Sequence, residues 1–209
     1  MSERGAPVAL VQGTWLRGAE AGFMRRRLCE RYHLNAKRVL VRNARAGLQR
    51  NVDVLADFIL HDLGPTESSP CHIIAHGLAG VVVMSFLQQH ADLPIGRIVL
   101  LGTPVVSAAA ALRVASLDGA DGEMAQSLTR QSFDWSLPGI QIGAIAGTMA
   151  MHQGRQNDAL AAPHDGVVSV EETQWTGLAD HLSLAVPHAG LVTSREVADR
   201  AVRFLQHGA

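Results

Sequence analysis

Ten histidines, two cysteines (Cys29 and Cys71) and 19 carboxylates are the raw material for chemistry in this chain. No H-E-x-x-H pattern and no zinc-type cysteine/histidine spacing occurs, so no metal and no other cofactor is expected. What remains is proton transfer by an imidazole and attack by a hydroxyl or thiol. An imidazole works as a base when a carboxylate holds its other nitrogen, fixing the tautomer and stabilising the charged form. Asp165 in APHDGVVSV and His188 in VPHAGL are candidates for such a pair. Taken alone, Asp165-Gly166 is equally a common turn and His188 an ordinary surface histidine. Asp158, after Asn157, is a second acid in the same region, and Asp180-His181 in GLADHL is a competing pair at the start of a strand. Among possible nucleophiles, Ser85 lies two turns into a helix, Ser107 follows a strand end, and Cys71 opens a strand. Each reads as structural, because none sits on a sharp strand-to-helix turn.

The elements that must position these groups follow from apolar patterning. Short apolar runs at Val8–Val11, Arg38–Val41, Cys71–Ala75, Ile95–Leu101, Ile140–Ala146 and His181–Val186 read as strands. Between them, Ala19–Tyr32, Asn51–Leu63 and Gly77–His90 read as helices, the second with Val54, Leu55, Phe58, Ile59 and Leu63 on one face. Ser194–His207 closes the chain as a helix with Ser194 as N-cap and Val197, Ala201, Phe204 and Leu205 inward. This alternation predicts an α/β fold, a three-layer α/β/α sandwich with a mostly parallel sheet. Strands without clean period-2 alternation suit a sheet buried on both faces. Residues 105–138 break the rhythm and read as a helix plus an excursion, a possible small cap.

Length and charge set the outer bounds. The chain has 209 residues, 47% of them apolar, with 18 basic and 19 acidic side chains. One domain spanning 1–209 is expected, able to bury roughly 70% of its unfolded surface without staples. A formal net charge of −1 gives no electrostatic case for nucleic acid or an anionic membrane. MSERGAP has no leader pattern and no run of 18 apolar residues occurs, so a cytoplasmic protein without a membrane span is expected.

The segment HIIAHGLAGVVVMSFL, His72 to Leu87, reads as strand, tight small-residue turn and helix. It resembles the nucleophile elbow G-x-S-x-G of the α/β-hydrolase fold. Other landmarks follow in that fold's order: VALVQGTWL, AHGLAG, a strand ending LGTP, Asp165-Gly166, and His188-Ala189-Gly190. The chain as a whole is similar to small bacterial lipase-like or esterase-like hydrolases, related to the PGAP1-type lipases. The resemblance implies a minimal α/β-hydrolase fold in which Asp165 is the acid and His188 the base. It places the oxyanion N–H donors on Thr14 and Leu78, and Trp15 where it could wall an apolar pocket.

One departure dominates. In the family motif G-H-S-L-G-G, the serine falls on Gly77, which has no side chain to form an acyl-enzyme. Ala75 and Ala79 flank it and stay small enough for strand and helix to pass closely. Gln12-Gly13 stands where His-Gly is frequent. A serine at an elbow pays about 1–3 kcal/mol of backbone strain, which glycine avoids. The resulting expectation is a lipase/esterase-like protein impaired in serine-ester hydrolysis that binds a small apolar or ester-like ligand. Two alternatives stand beside it: an active enzyme using the His188–Asp165 dyad as general base without a covalent intermediate, and an esterase with another nucleophile.

Overall fold

A computed structural model of the chain describes residues 5–13, 19–41, 46–117, 122–150 and 160–209. Six parallel strands form one sheet: β1 (Pro7–Gln12), β2 (Asn35–Leu40), β3 (Cys71–His76), β4 (Ile95–Leu101), β5 (Ile142–Gly147) and β6 (Asp180–Leu184). Their order is β2-β1-β3-β4-β5-β6. The chain starts at β1, steps out to β2, then crosses back to β3 and proceeds to the far edge. That reversal lies between β1 and β3, whose register runs from Val8 opposite His72 to Val11 opposite Ala75. The connections after two such neighbours leave to opposite faces and open a crevice at their carboxyl ends.

Side-chain alternation explains why both faces must be covered. Ala9, Val11, Ile73, Ala75, Ile98 and Leu100 form one buried cluster with helices α2 (Leu48–Phe58) and α3 (Leu78–Gln89). Val8, Leu10, Ile74, Val99 and Leu101 point the other way, into a cluster with α1 (Ala19–Tyr32) and, at the end of the chain, α6 (Gly190–Thr193) and α7 (Arg195–His207). Central strands apolar on both sides are what a sheet sandwiched between helices requires. Helix α3 is buried almost throughout, from Leu78 to Leu87. Helix α7 is amphipathic, with Val197, Ala201, Phe204 and Leu205 buried, and the Ser194 hydroxyl accepts the Val197 N–H at 3.4 Å as its cap.

Several bounds shift from the sequence expectation by one or two residues, and two starts shift by three. Strand β2 begins at Asn35, not Arg38, because Lys37 and Arg38 sit exposed on an edge strand and hide the apolar pattern. The second helix starts at Leu48 and ends in a π-helical turn, Ile59–Leu63. Its inward face carries Asn51 and Val52, while Val54 is 45% exposed. Asn51 can turn inward because its amide donates to the carbonyls of Ala46 and Gly47. Within 105–138 lie α4 (Ala108–Leu117) and α5 (Glu123–Arg130). Ala111, Val114, Met124, Leu128 and Trp135 from this stretch join the buried cluster beside α2 and α3, and the Trp135 indole donates to the Val105 carbonyl at 2.8 Å.

Candidate active site

Strand β3 ends at His76 and α3 begins at Leu78, so Gly77 alone makes the turn. Its φ of 58° and ψ of −133° lie where L side chains are strained and glycine is not. The turn is anchored on both sides. The Gly77 N–H donates to the Leu101 carbonyl at 2.9 Å, and its carbonyl accepts the Gly80 N–H at 3.0 Å. A Cβ built on Gly77 would meet His188 Nε2 at 3.2 Å and Cε1 at 3.7 Å. The position is therefore the apex of a strand-turn-helix, facing an imidazole. The Leu78 N–H belongs to the first turn of α3, where N–H groups have no acceptor within the helix and the helix dipole is positive.

The imidazole is held from behind. His188 and Asp165 are 3% and 2% exposed, and His188 Nδ1 lies 2.7 Å from Asp165 Oδ2. Burial pushes the Asp165 carboxyl up. The His188 hydrogen bond and charge and the N–H groups of Val168 and Val167 more than offset this, so it titrates below the usual carboxylate range. An ionised carboxylate only accepts, so Nδ1 is the donor. In the neutral ring Nε2 is then the basic nitrogen, and it is the one turned to Gly77. Asp165 Oδ1 accepts the Val167 and Val168 N–H groups at 2.9 and 2.7 Å. The backbones are tied as well: the His188 N–H donates to the Asp165 carbonyl at 3.1 Å.

Two further residues belong to this arrangement. His76 Nε2 donates to the His188 carbonyl at 3.1 Å, and the two rings lie 4.4 Å apart. Burial first, and the neighbouring His188 charge second, push His76 down to about 3, so it is neutral at pH 7. Gly102, at φ 53°, directly follows β4, and a Cβ there would come within 3.0 Å of both Asp165 Oδ2 and His188 Nδ1. Both stand beside landmarks of the sequence, His76 next to Gly77 and Gly102 in LGTP.

The structure thus brings Gly77, Leu78, Asp165 and His188 together. Thr14, Trp15 and Asp158 lie outside the described residues. Ser85 is buried and donates to the Val81 carbonyl, Ser107 caps α4 through the Ala110 N–H, and the Cys71 thiol is pushed up to about 12 by burial. His181 pairs with Thr173 at the start of β6. A cavity of about 370 Å³ between α7 and the outer strands does not touch Gly77, Asp165 or His188. No cluster of metal-ligating side chains occurs among the described residues.

The described fold is shared with solved structures. A metagenomic carboxyl esterase superposes with a TM-score of 0.67 at 17% identity, over 100% of this chain and 78% of its own. The mature form of a Bacillus licheniformis lipase gives 0.72 at 16% identity, over 97% and 93%. The fold is that of the α/β-hydrolases. A polyneuridine aldehyde esterase variant gives 0.68 at 11% identity, over 96% and 99%. No protein-family model and no curated protein sequence matches the chain. In that fold a sharp strand-to-helix turn carries the nucleophile, and the turn after β3 has that strand-turn-helix form. No described helix is long and apolar enough to cross a membrane.

Proposed function

We propose that this single-domain chain is a lipase/esterase-like α/β-hydrolase, of the small PGAP1-type kind, in which Gly77 occupies the nucleophile position. It is impaired in serine-ester hydrolysis and binds a small apolar or ester-like ligand at the mouth of the elbow. The observation that carries this reading is the alignment of His188 Nε2 on the Gly77 apex, with Asp165 behind the ring. The solved neighbours named as esterases and lipases support ester chemistry as the ancestral use of the frame. Thr14 and Leu78 are assigned as oxyanion donors, and Trp15 as a wall of the ligand site.

The complete dyad favours one second reading. A buried imidazole backed by an ionised carboxylate is a general base, able to activate a water or take a proton from a bound substrate without a covalent step. Stopped-flow kinetics with short-chain p-nitrophenyl esters tests the first claim: no stoichiometric burst is expected, and a burst would show a working nucleophile. Replacing His188 by alanine separates the readings. A ligand binder whose variant still folds retains ligand binding, whereas a general-base enzyme loses turnover on its substrate.

A further inference from the structure

The acid that orients His188 sits on a loop, and the loop is itself gripped from outside. Residues 163–173 fold back on themselves. The Val170 N–H donates to the Pro163 carbonyl at 2.9 Å, and His164 bridges to Ser169. Ser169 and Glu172 then form a reciprocal pair. The Ser169 N–H donates to Glu172 Oε2 at 2.9 Å, and the Glu172 N–H donates to the Ser169 hydroxyl at 3.2 Å. The reciprocal bonds have the pattern of a capping box, S-x-x-E, and lead into the 3₁₀ turn Glu171–Thr173. One side chain from another element closes it. Arg113 of α4 donates through Nη2 to both Glu172 oxygens, at 2.6 and 2.5 Å, and through Nη1 to the Val167 carbonyl at 3.4 Å.

Val167 is the link to the site. Its carbonyl faces Arg113, and its N–H is one of the two that Asp165 Oδ1 accepts. The Glu172 carbonyl is also tied to the Val105 N–H at 2.9 Å, just after Gly102, which follows β4. We propose that Arg113 and Glu172 are positioning residues for the base: Arg113 clamps the 167–172 strap so that the Val167 and Val168 N–H groups hold Asp165 square to His188 Nδ1. The inference rests on reading Asp165 and His188 as an acid–base pair, and it adds a residue from α4 to that machinery. Charge-assisted bonds of this kind are stronger than neutral ones, and the arginine fork fixes direction as well as distance. Their partial exposure, 21% and 22% of the two side chains, makes Arg113 more a geometric device than a large store of stability.

The test reads the dyad directly, by proton and nitrogen NMR of the His188 ring in the full chain. The wild type should show a far-downfield Nδ1 proton in slow exchange with water, and a nitrogen pattern of the Nδ1–H tautomer. In Arg113→Met the same proton should exchange about tenfold faster while the far-ultraviolet spectrum is unchanged. Arg113→Lys, which keeps the charge but loses the fork, should fall between them. Glu172→Gln should reproduce the Arg113→Met effect from the other side and serves if that variant fails to fold. A wild-type ring with no protected Nδ1 proton would overturn the acid–base pair itself. A protected proton whose exchange is the same in wild type, Arg113→Met and Glu172→Gln would overturn only the positioning role.

Discussion

The two halves of the site are built to different standards. On the acid–base side, Asp165 and His188 are locked by a side-chain bond, a backbone bond and two N–H groups on the second carboxylate oxygen. On the elbow side, the backbone turn is as well anchored, yet its apex carries no side chain at all. A fold drifting away from use would loosen the buried polar half first, because an imperfectly paired buried acid costs more than an apolar replacement. On the proposed reading the costly half is intact, and the cheap change, serine to glycine at position 77, is the one made. The elbow geometry also explains why glycine is tolerated there: it relieves backbone strain while leaving β3 and α3 in place.

The largest expected effect comes from supplying the half that the proposed function holds to be missing. Gly77→Ser should raise esterase turnover at least about 10²-fold over wild type, well short of the roughly 10⁶ that an evolved protease loses with its serine. It should also cost about 1–3 kcal/mol of stability in urea unfolding, as strain returns to a positive-φ turn. Next in size is an attack on the intact half. Gly102→Ala adds a methyl 2.7 Å from Leu191 Cδ1 and 3.0 Å from the dyad, at a positive φ. We expect about 2–5 kcal/mol lost in the same assay, from overpacking plus left-handed strain. A loss no greater than that of an exposed glycine would mean the dyad has room to move, and the contrast between the halves would shrink.

The smallest effect is graded in pH. His76 is held near 3 in the folded chain against about 6.5 when unfolded. Between those values the unfolded state binds the extra proton, so stability is full above pH 6.5 and falls as pH drops toward 3. Asp165, also depressed, contributes stability that is lost lower still, as pH falls through its folded value. Urea midpoints should therefore decline from pH 7 to pH 5, and His76→Gln should flatten that stretch. An unchanged slope in the variant would remove His76 as the cause.

Much of this was legible in the sequence because apolar runs and a family-like order of landmarks speak for themselves. Ile95–Leu101 coincides with β4 to the residue, and the inward face of α7 is the one its spacing specifies. Parts that stayed hidden share a physical reason: a partner supplied by the fold cancels the local signal. Asn51 looks like a surface residue until two carbonyls satisfy its amide. Met124 and Leu128 are two apolar positions in a polar stretch, and only packing against α2 makes them core. Arg113 is an ordinary helical arginine until Glu172, 59 residues away, meets it. His76 stands next to Gly77 in the sequence, but its tie to the His188 carbonyl spans 112 residues and no spacing rule reaches that far.

The central claim is that position 77 is the vacant nucleophile position of a site whose base is in place. Intact-mass analysis after treatment with a fluorophosphonate tests it most directly, on the wild type and Gly77→Ser side by side. The account predicts an unmodified wild type and a variant carrying one adduct, mapped to residue 77. A labelled wild type, or a folded Gly77→Ser that stays unlabelled, would contradict it.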